Sequence, residues 1–232
     1  MKKILTLAVA AVAALAMTSC GGKHAINNDV DSLSYYMGVS FGKSLQMQQN
    51  MLADELNMDI FIDGVNDALE NKDVDLQQMN EFMNKYMYTE NPKKCAEKSE
   101  AWLKEKLVPG VETTESGLMY KIVSEGNLEK KATSDSDVVK VNYEGKLMNG
   151  FVFDSSYERE QPAEFPLNRV IKGWTEGMKL VGEGGEIILY IPANLAYGQW
   201  GNQRGGIGPN QALEFRVELL SVTPAEAPAQ AK

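Results

Sequence analysis

The apolar period of this chain changes once, at Pro109-Gly110, and that change limits what it can fold into. Before it, apolar residues recur at helical spacing. Leu33, Met37, Phe41 and Leu45, with Tyr36 beside them, stand four apart behind Asp31 or Ser32 as a cap. A second helix is predicted from Asp59, with Phe61, Val65, Ala68 and Leu69 on one face, and a third from Asp75, with Leu76, Met79, Met83 and Tyr86. Asn91-Pro92 is expected to end or kink this third helix, because proline lacks a donor and restricts its predecessor. Helix then resumes through Cys95 to Leu107. After Pro109 the period is two, in Leu118/Tyr120/Ile122, Val139/Val141/Tyr143/Leu147, Ile187/Leu189/Ile191 and Leu213/Phe215/Val217/Leu219. One short helix, about 169–180, interrupts the strands. The expected class is α+β: an all-helical N-terminal region followed by an antiparallel sheet folded against a single helix.

The two ends are read differently. Lys2 and Lys3 precede an apolar run from Ile4 to Met17, too short to span a bilayer and typical of a signal-peptide core. Thr18-Ser19-Cys20-Gly21-Gly22 resembles the lipobox of bacterial lipoproteins, with Met17 in place of the usual leucine. That resemblance implies acylation of Cys20, export, and a lipid-anchored protein of the cell envelope facing the periplasm or the exterior. The expected layout is a leader over 1–19, a tether over 20–31, a helical domain with linker over 32–110 and a β domain over 111–223. An Ala/Pro-rich disordered tail follows over 224–232.

Charge and cysteine usage exclude several classes. The net charge is −9 with no basic stripe, so nucleic-acid binding is not expected. With Cys20 acylated, Cys95 has no partner in the chain, and no disulfide framework forms. Seven of the twelve methionines lie between Met37 and Met87. They suit either an adaptable surface for a partner or client or, as the ordinary expectation, a Met-rich helical core.

Beyond Val111 there is no histidine and no cysteine, and the one histidine, His24, sits in the tether. A Ser-His-Asp or Cys-His centre is excluded, and neither metal nor cofactor is expected. Gly182-Glu183-Gly184-Gly185 follows a helix and opens a strand, the reverse of a phosphate loop, and reads as a turn. What remains is a set of large side chains near glycines: Phe151, Phe153 and Asp154, then Trp174, Tyr197 and Ile207. They fit plain core or the lining of an apolar pocket with a few polar groups at its rim.

Taken in order, these segments resemble the FKBP-type peptidyl-prolyl cis–trans isomerases. The match runs from Gly117 to Val222 through Val141-Asn142-Tyr143-Glu144-Gly145, Phe153-Asp154-Ser155-Ser156 and Val170-Ile171-Lys172-Gly173-Trp174. It continues through Ile191-Pro192, Ala196-Tyr197-Gly198 and the final strand from Leu213 to Leu220. The resemblance implies a pocket for X-Pro segments floored by Trp174 and walled by Tyr143, Phe153, Val170, Ile171 and Phe215. Ile207 and Tyr197 would flank the mouth, and Asp154, held by Arg159, would lie at its side. Asp154 and Tyr197 would carry catalysis, the Tyr197 hydroxyl donating to a substrate carbonyl. Rotation about an X-Pro bond faces a barrier of about 18–20 kcal/mol set by amide resonance and needs no proton transfer, which suits a site without a nucleophile. Two departures stand out: Ala163 replaces an aromatic wall, and Gly208 replaces a proline after Ile207, predicting a looser loop.

The run Ser34-Tyr35-Tyr36-Met37-Gly38-Val39-Ser40-Phe41-Gly42-Lys43-Ser44-Leu45, with Gly64 and Ala68-Leu69 downstream, is similar to the dimerisation domain of macrophage-infectivity-potentiator-like isomerases. It implies a homodimer through the N-terminal helices, with a linker helix that is shorter here and interrupted at Pro92. The expected function is isomerisation of X-Pro bonds in unfolded, proline-containing exported polypeptides. The alternative is a holdase chaperone that grips client segments with little or no catalysis.

Overall fold

The computed structural model describes residues 25–225, so the expected leader, Cys20, His24 and the tail beyond Ala225 lie outside the described residues. The chain divides into two compact units, Met1–Leu45 and Gln46–Lys232. Helix α1 runs over Asp29–Asn50, and α2 over Met58–Leu69, where the Asn57 side chain caps the amides of Asp59 and Ile60. The third helix, α3 over Leu76–Lys85, starts as predicted, with the Asp75 carboxylate accepting from the Gln78 amide.

Pro92 does not break the third helix. A π-helical turn, Tyr86–Glu90, joins α3 directly to α4, Asn91–Lys106, and the Asn91 amide reaches back to the Tyr86 carbonyl. The wider turn is placed just where proline would otherwise remove a bond and crowd the preceding turn. The expected Met-rich core is also absent in the isolated chain. Among the described residues α2 and α3 bury no side chain and α1 buries only Asn50, while Met37, Met58, Met79 and Met83 are exposed.

The β part matches the predicted class. Seven strands form one antiparallel sheet in the order β1 (Glu112–Thr113), β2 (Met119–Ser124), β8 (Glu186–Ile191), β9 (Leu213–Thr223), β4 (Val138–Leu147) and β5 (Val152–Ser155), with β6 (Ala163–Pro166) also on β4. A separate ribbon pairs β3 (Asn127–Lys131) with β7 (Gly182–Glu183). Part of the predicted Gly-rich turn is therefore strand, and the Glu183 carboxylate accepts from the Val222 amide at 3.0 Å. Alternation in β4, β8 and β9 turns Val139, Val141, Ile187, Leu189, Ile191, Val217 and Leu219 into a continuous core.

Against that core lies α5, Lys172–Gly177, shorter than the predicted 169–180 because Ile171 is extended and caps it. A Cβ on Gly173 would fall 2.5 Å from Ile191 Cγ2, so glycine is what lets this helix sit down on the sheet. On the opposite face of the sheet α4 packs Trp102 edge-on against Tyr190, with ring centroids 5.9 Å apart, and Lys106 pairs with Glu214 at 3.2 Å. Nor is the loop at Gly208 slack. A Cβ there would meet the Met51 carbonyl oxygen at 2.5 Å, and the Gly208 amide donates to Gln211 Oε1 at 2.9 Å.

Candidate active site

The motif around Tyr143 lies on β4, whose far edge is shared by β6 along its first half and β5 along its second. On the near edge β9 sets Gly145 opposite Phe215. A side chain at 145 would stand 2.6 Å from the Phe215 ring and 2.8 Å from the Phe153 ring, so glycine leaves room for both. Above the sheet α5 lowers Trp174 among them. Tyr143, Phe165 and Phe215 surround its indole with centroids at 5.2, 5.7 and 5.3 Å, all close to perpendicular. Edge-to-face packing of this kind adds about 0.5–1.5 kcal/mol per pair beyond area burial and holds the rings in fixed orientations.

A cavity of about 520 Å³ opens above this box. Of the residues expected from sequence, Tyr143, Phe153, Asp154, Val170, Ile171, Trp174, Tyr197 and Phe215 all line it. Ile207 does not; it is 1% exposed, packed into the core, and bridged to Asn202 through both backbone groups. The wall expected to be missing at Ala163 is supplied by Phe165, two residues on and so on the same face of β6. Arg169, Lys172, Asn194 and Ala196 complete the lining, and the sequence pattern did not single them out. Phe165 was within reach of the period-two rule, whereas Arg169 and Asn194 lie in single 3-10 turns, Ala196 follows one, and Lys172 only opens α5.

At the rim, three side chains close a triangle. The Tyr143 hydroxyl donates to Asp154 Oδ2 at 2.5 Å, Arg159 Nη1 donates to Asp154 Oδ1 at 2.5 Å, and Arg159 Nη2 donates to the Tyr143 oxygen at 2.8 Å. Burial, seconded by the Asp154 hydrogen bond, pushes the Tyr143 phenol up to about 12. The bonds to Asp154 and Tyr143 hold the Arg159 guanidinium still further in its charged form. Such a network fixes a carboxylate at the edge of an apolar cavity and keeps the phenol neutral at ordinary pH. The indole N–H of Trp174 is buried with no hydrogen-bond partner among the described residues. No cluster of metal-ligating side chains occurs among them.

Comparison with known proteins agrees with this architecture. Residues 129–220 match the family model described as FKBP-type peptidyl-prolyl cis-trans isomerase, and residues 30–122 match the domain amino terminal to it. The probable FKBP-type peptidyl-prolyl cis-trans isomerase FkpA of Neisseria meningitidis is 40% identical, with 85% of this chain and 78% of that protein aligned. The outer membrane protein MIP of Legionella longbeachae is 33% identical over 96% of this chain and 98% of that one. The crystal structure of FkpA from Escherichia coli superposes with a TM-score of 0.56 at 39% identity, covering 87% of this chain and all of that chain. The chain therefore belongs to the FKBP-type peptidyl-prolyl isomerase family, and it is a peptidyl-prolyl cis–trans isomerase with a helical region before its antiparallel sheet.

Proposed function

We propose that isomerisation takes place in the cavity over Trp174, with Tyr143, Phe153, Val170, Ile171 and Phe215 around the proline ring. Asp154 lies beside the bond that rotates. The observation that carries this reading is the Asp154–Tyr143–Arg159 triangle, a fixed carboxylate on the lip of a box of perpendicular aromatic rings. In the twisted transition state the amide has lost resonance and its carbonyl and nitrogen are less polar than in the planar ground state. An apolar, desolvated pocket favours that state, and fixed polar groups keep it oriented. The Tyr197 hydroxyl would hold a substrate carbonyl while the far side of the bond turns. Ile207 would then support the mouth from within the core rather than touch substrate.

Isomerisation of a short X-Pro peptide tests these roles. Asp154→Ala is expected to lower kcat/KM by about ten- to hundredfold and Tyr197→Phe by about two- to tenfold, with the far-ultraviolet spectrum unchanged. Parental rates in both folded variants would remove the site from this cavity.

A helical domain over 32–110 would pair with that of a second copy, and a catalytic domain over 111–223 would act on unfolded, proline-containing polypeptides. Exposed Leu33, Tyr36, Met37, Ile60, Leu76, Met79 and Met83 on α1–α3 support an interface there. Cys20 would carry a lipid and hold the protein in the cell envelope. The lipobox-like segment supports this, as does the outer-membrane name of the Legionella relative. No helix among the described residues is long and apolar enough to cross a membrane. Growth with a labelled fatty acid should mark the protein, and Cys20→Ser should abolish the label and free the protein from the membrane fraction.

A further inference from the structure

The loop from Tyr197 to Ala212 starts at the candidate site and returns along the linker helix. Gly198, next to Tyr197, has its carbonyl held by the Asn210 amide at 2.9 Å. Asn210 is itself tied to α4 twice. Its carbonyl accepts from Ser99 Oγ at 2.6 Å, and its Nδ2 donates to the Pro92 carbonyl at 3.0 Å. The Ala212 amide donates to the same Ser99 oxygen at 3.0 Å. Ser99 is 5% exposed, and Asn210 has φ +54°, a left-handed conformation that asparagine tolerates better than most residues. Next to this, Gln211 Nε2 donates to the Asn50 carbonyl at 2.7 Å, and Asn91 bridges the Met51 carbonyl and the Ala53 amide. Two hydrogen bonds therefore separate the linker-helix hydroxyl from the residue that follows Tyr197.

We propose that Ser99 is a positioning residue for catalysis: through Asn210 and Gly198 it sets the Tyr197 side of the pocket, so that the linker helix is part of the isomerase site. The inference rests on the role given above to the Tyr197 hydroxyl. A buried hydroxyl that both donates and accepts fixes a loop better than either bond alone, and its loss leaves an amide and a carbonyl without partners. The linker of this chain thus serves as more than a spacer between the helical and catalytic parts.

A double-mutant cycle in the full-length protein tests it, with kcat/KM on an X-Pro peptide as the readout. Ser99→Ala is expected to lower the rate about three- to tenfold when Tyr197 is present and to change it less than about twofold in the Tyr197→Phe background. Asn210→Gly keeps the left-handed backbone but loses the bond to Pro92, and it should show the same dependence on Tyr197 with a smaller drop. This second variant decides the matter if Ser99→Ala folds poorly. Equal losses in both backgrounds would make Ser99 a general support of the domain and overturn the proposal, as would an unchanged rate in Ser99→Ala. If Tyr197→Phe alone leaves the parental rate intact, the role of the hydroxyl fails and the brace falls with it, an outcome distinct from equal losses.

Discussion

Tyr143 joins the aromatic box to the rim of the site: its ring meets Trp174, Phe165 and Phe215, and its hydroxyl meets Asp154 and Arg159. Its phenol is raised from 10.0 to about 12, first by burial and then by the Asp154 carboxylate. A group whose folded value exceeds its unfolded one binds more protons in the native state. The resulting stabilisation is complete below about pH 10 and is lost as pH rises through about 12. Denaturant unfolding of the parent and of Tyr143→Phe at pH 9 and pH 11 should show the parent losing more stability than the variant. An identical loss in both would mean that the phenol is not protected. Cys95, 0% exposed and raised to about 11 by desolvation, is a packed thiol whose Sγ leans on Asn91 Oδ1, which agrees with its reading as an isolated thiol.

At the scale of elements, the joint between α3 and α4 shows where local rules give way. Proline signals an end or a kink in a linear reading; here the helical run continues through a π-turn, and Asn91 is drawn into the interior. There its side chain satisfies the Ala53 amide at 2.7 Å and the Met51 carbonyl at 3.0 Å, and Lys94 and Lys98 hold Asp54 beside it, lowering that carboxyl to about 2. Asn91→Ala would leave two backbone groups buried without partners. It is expected to cost about 1–3 kcal/mol per group, read as a fall in the denaturation midpoint, with the β domain still folded. A change within a few tenths of a kcal/mol would mean that water reaches the joint.

On the scale of the whole molecule, the pairing of helical domains proposed above would cover apolar side chains that are exposed on α1–α3. Sedimentation of the protein lacking its leader should give twice the monomer mass. Introducing charge at Leu76 and Met79 should shift it to monomer, with peptide isomerisation kept because neither residue touches the cavity. A monomer that still suppresses aggregation of unfolded chains would instead assign the same surface to clients.

Much of this protein is legible in its linear pattern, because period and chemistry are local. The switch from a helical period to alternation separates helices from sheet, and the lack of histidine and cysteine beyond Val111 excludes a Ser-His-Asp or Cys-His centre there. Eight of the nine expected pocket residues share one cavity because they sit on regular strands, on α5 or in short motifs beside them. The rest depended on contacts between distant segments. That the face of β6 shared by Ala163 and Phe165 is the one turned to the cavity is set by the pairing of β6 with β4, and Ile207 turns inward because its loop doubles back on Asn202. Pro92 stays helical because buried partners at 51–53 reward the wider turn. No stretch of sequence around Ser99 marks it as bonded to Asn210, 111 residues away. Hydrogen bonds of that separation carry no periodic signature and exist only once the chain has packed.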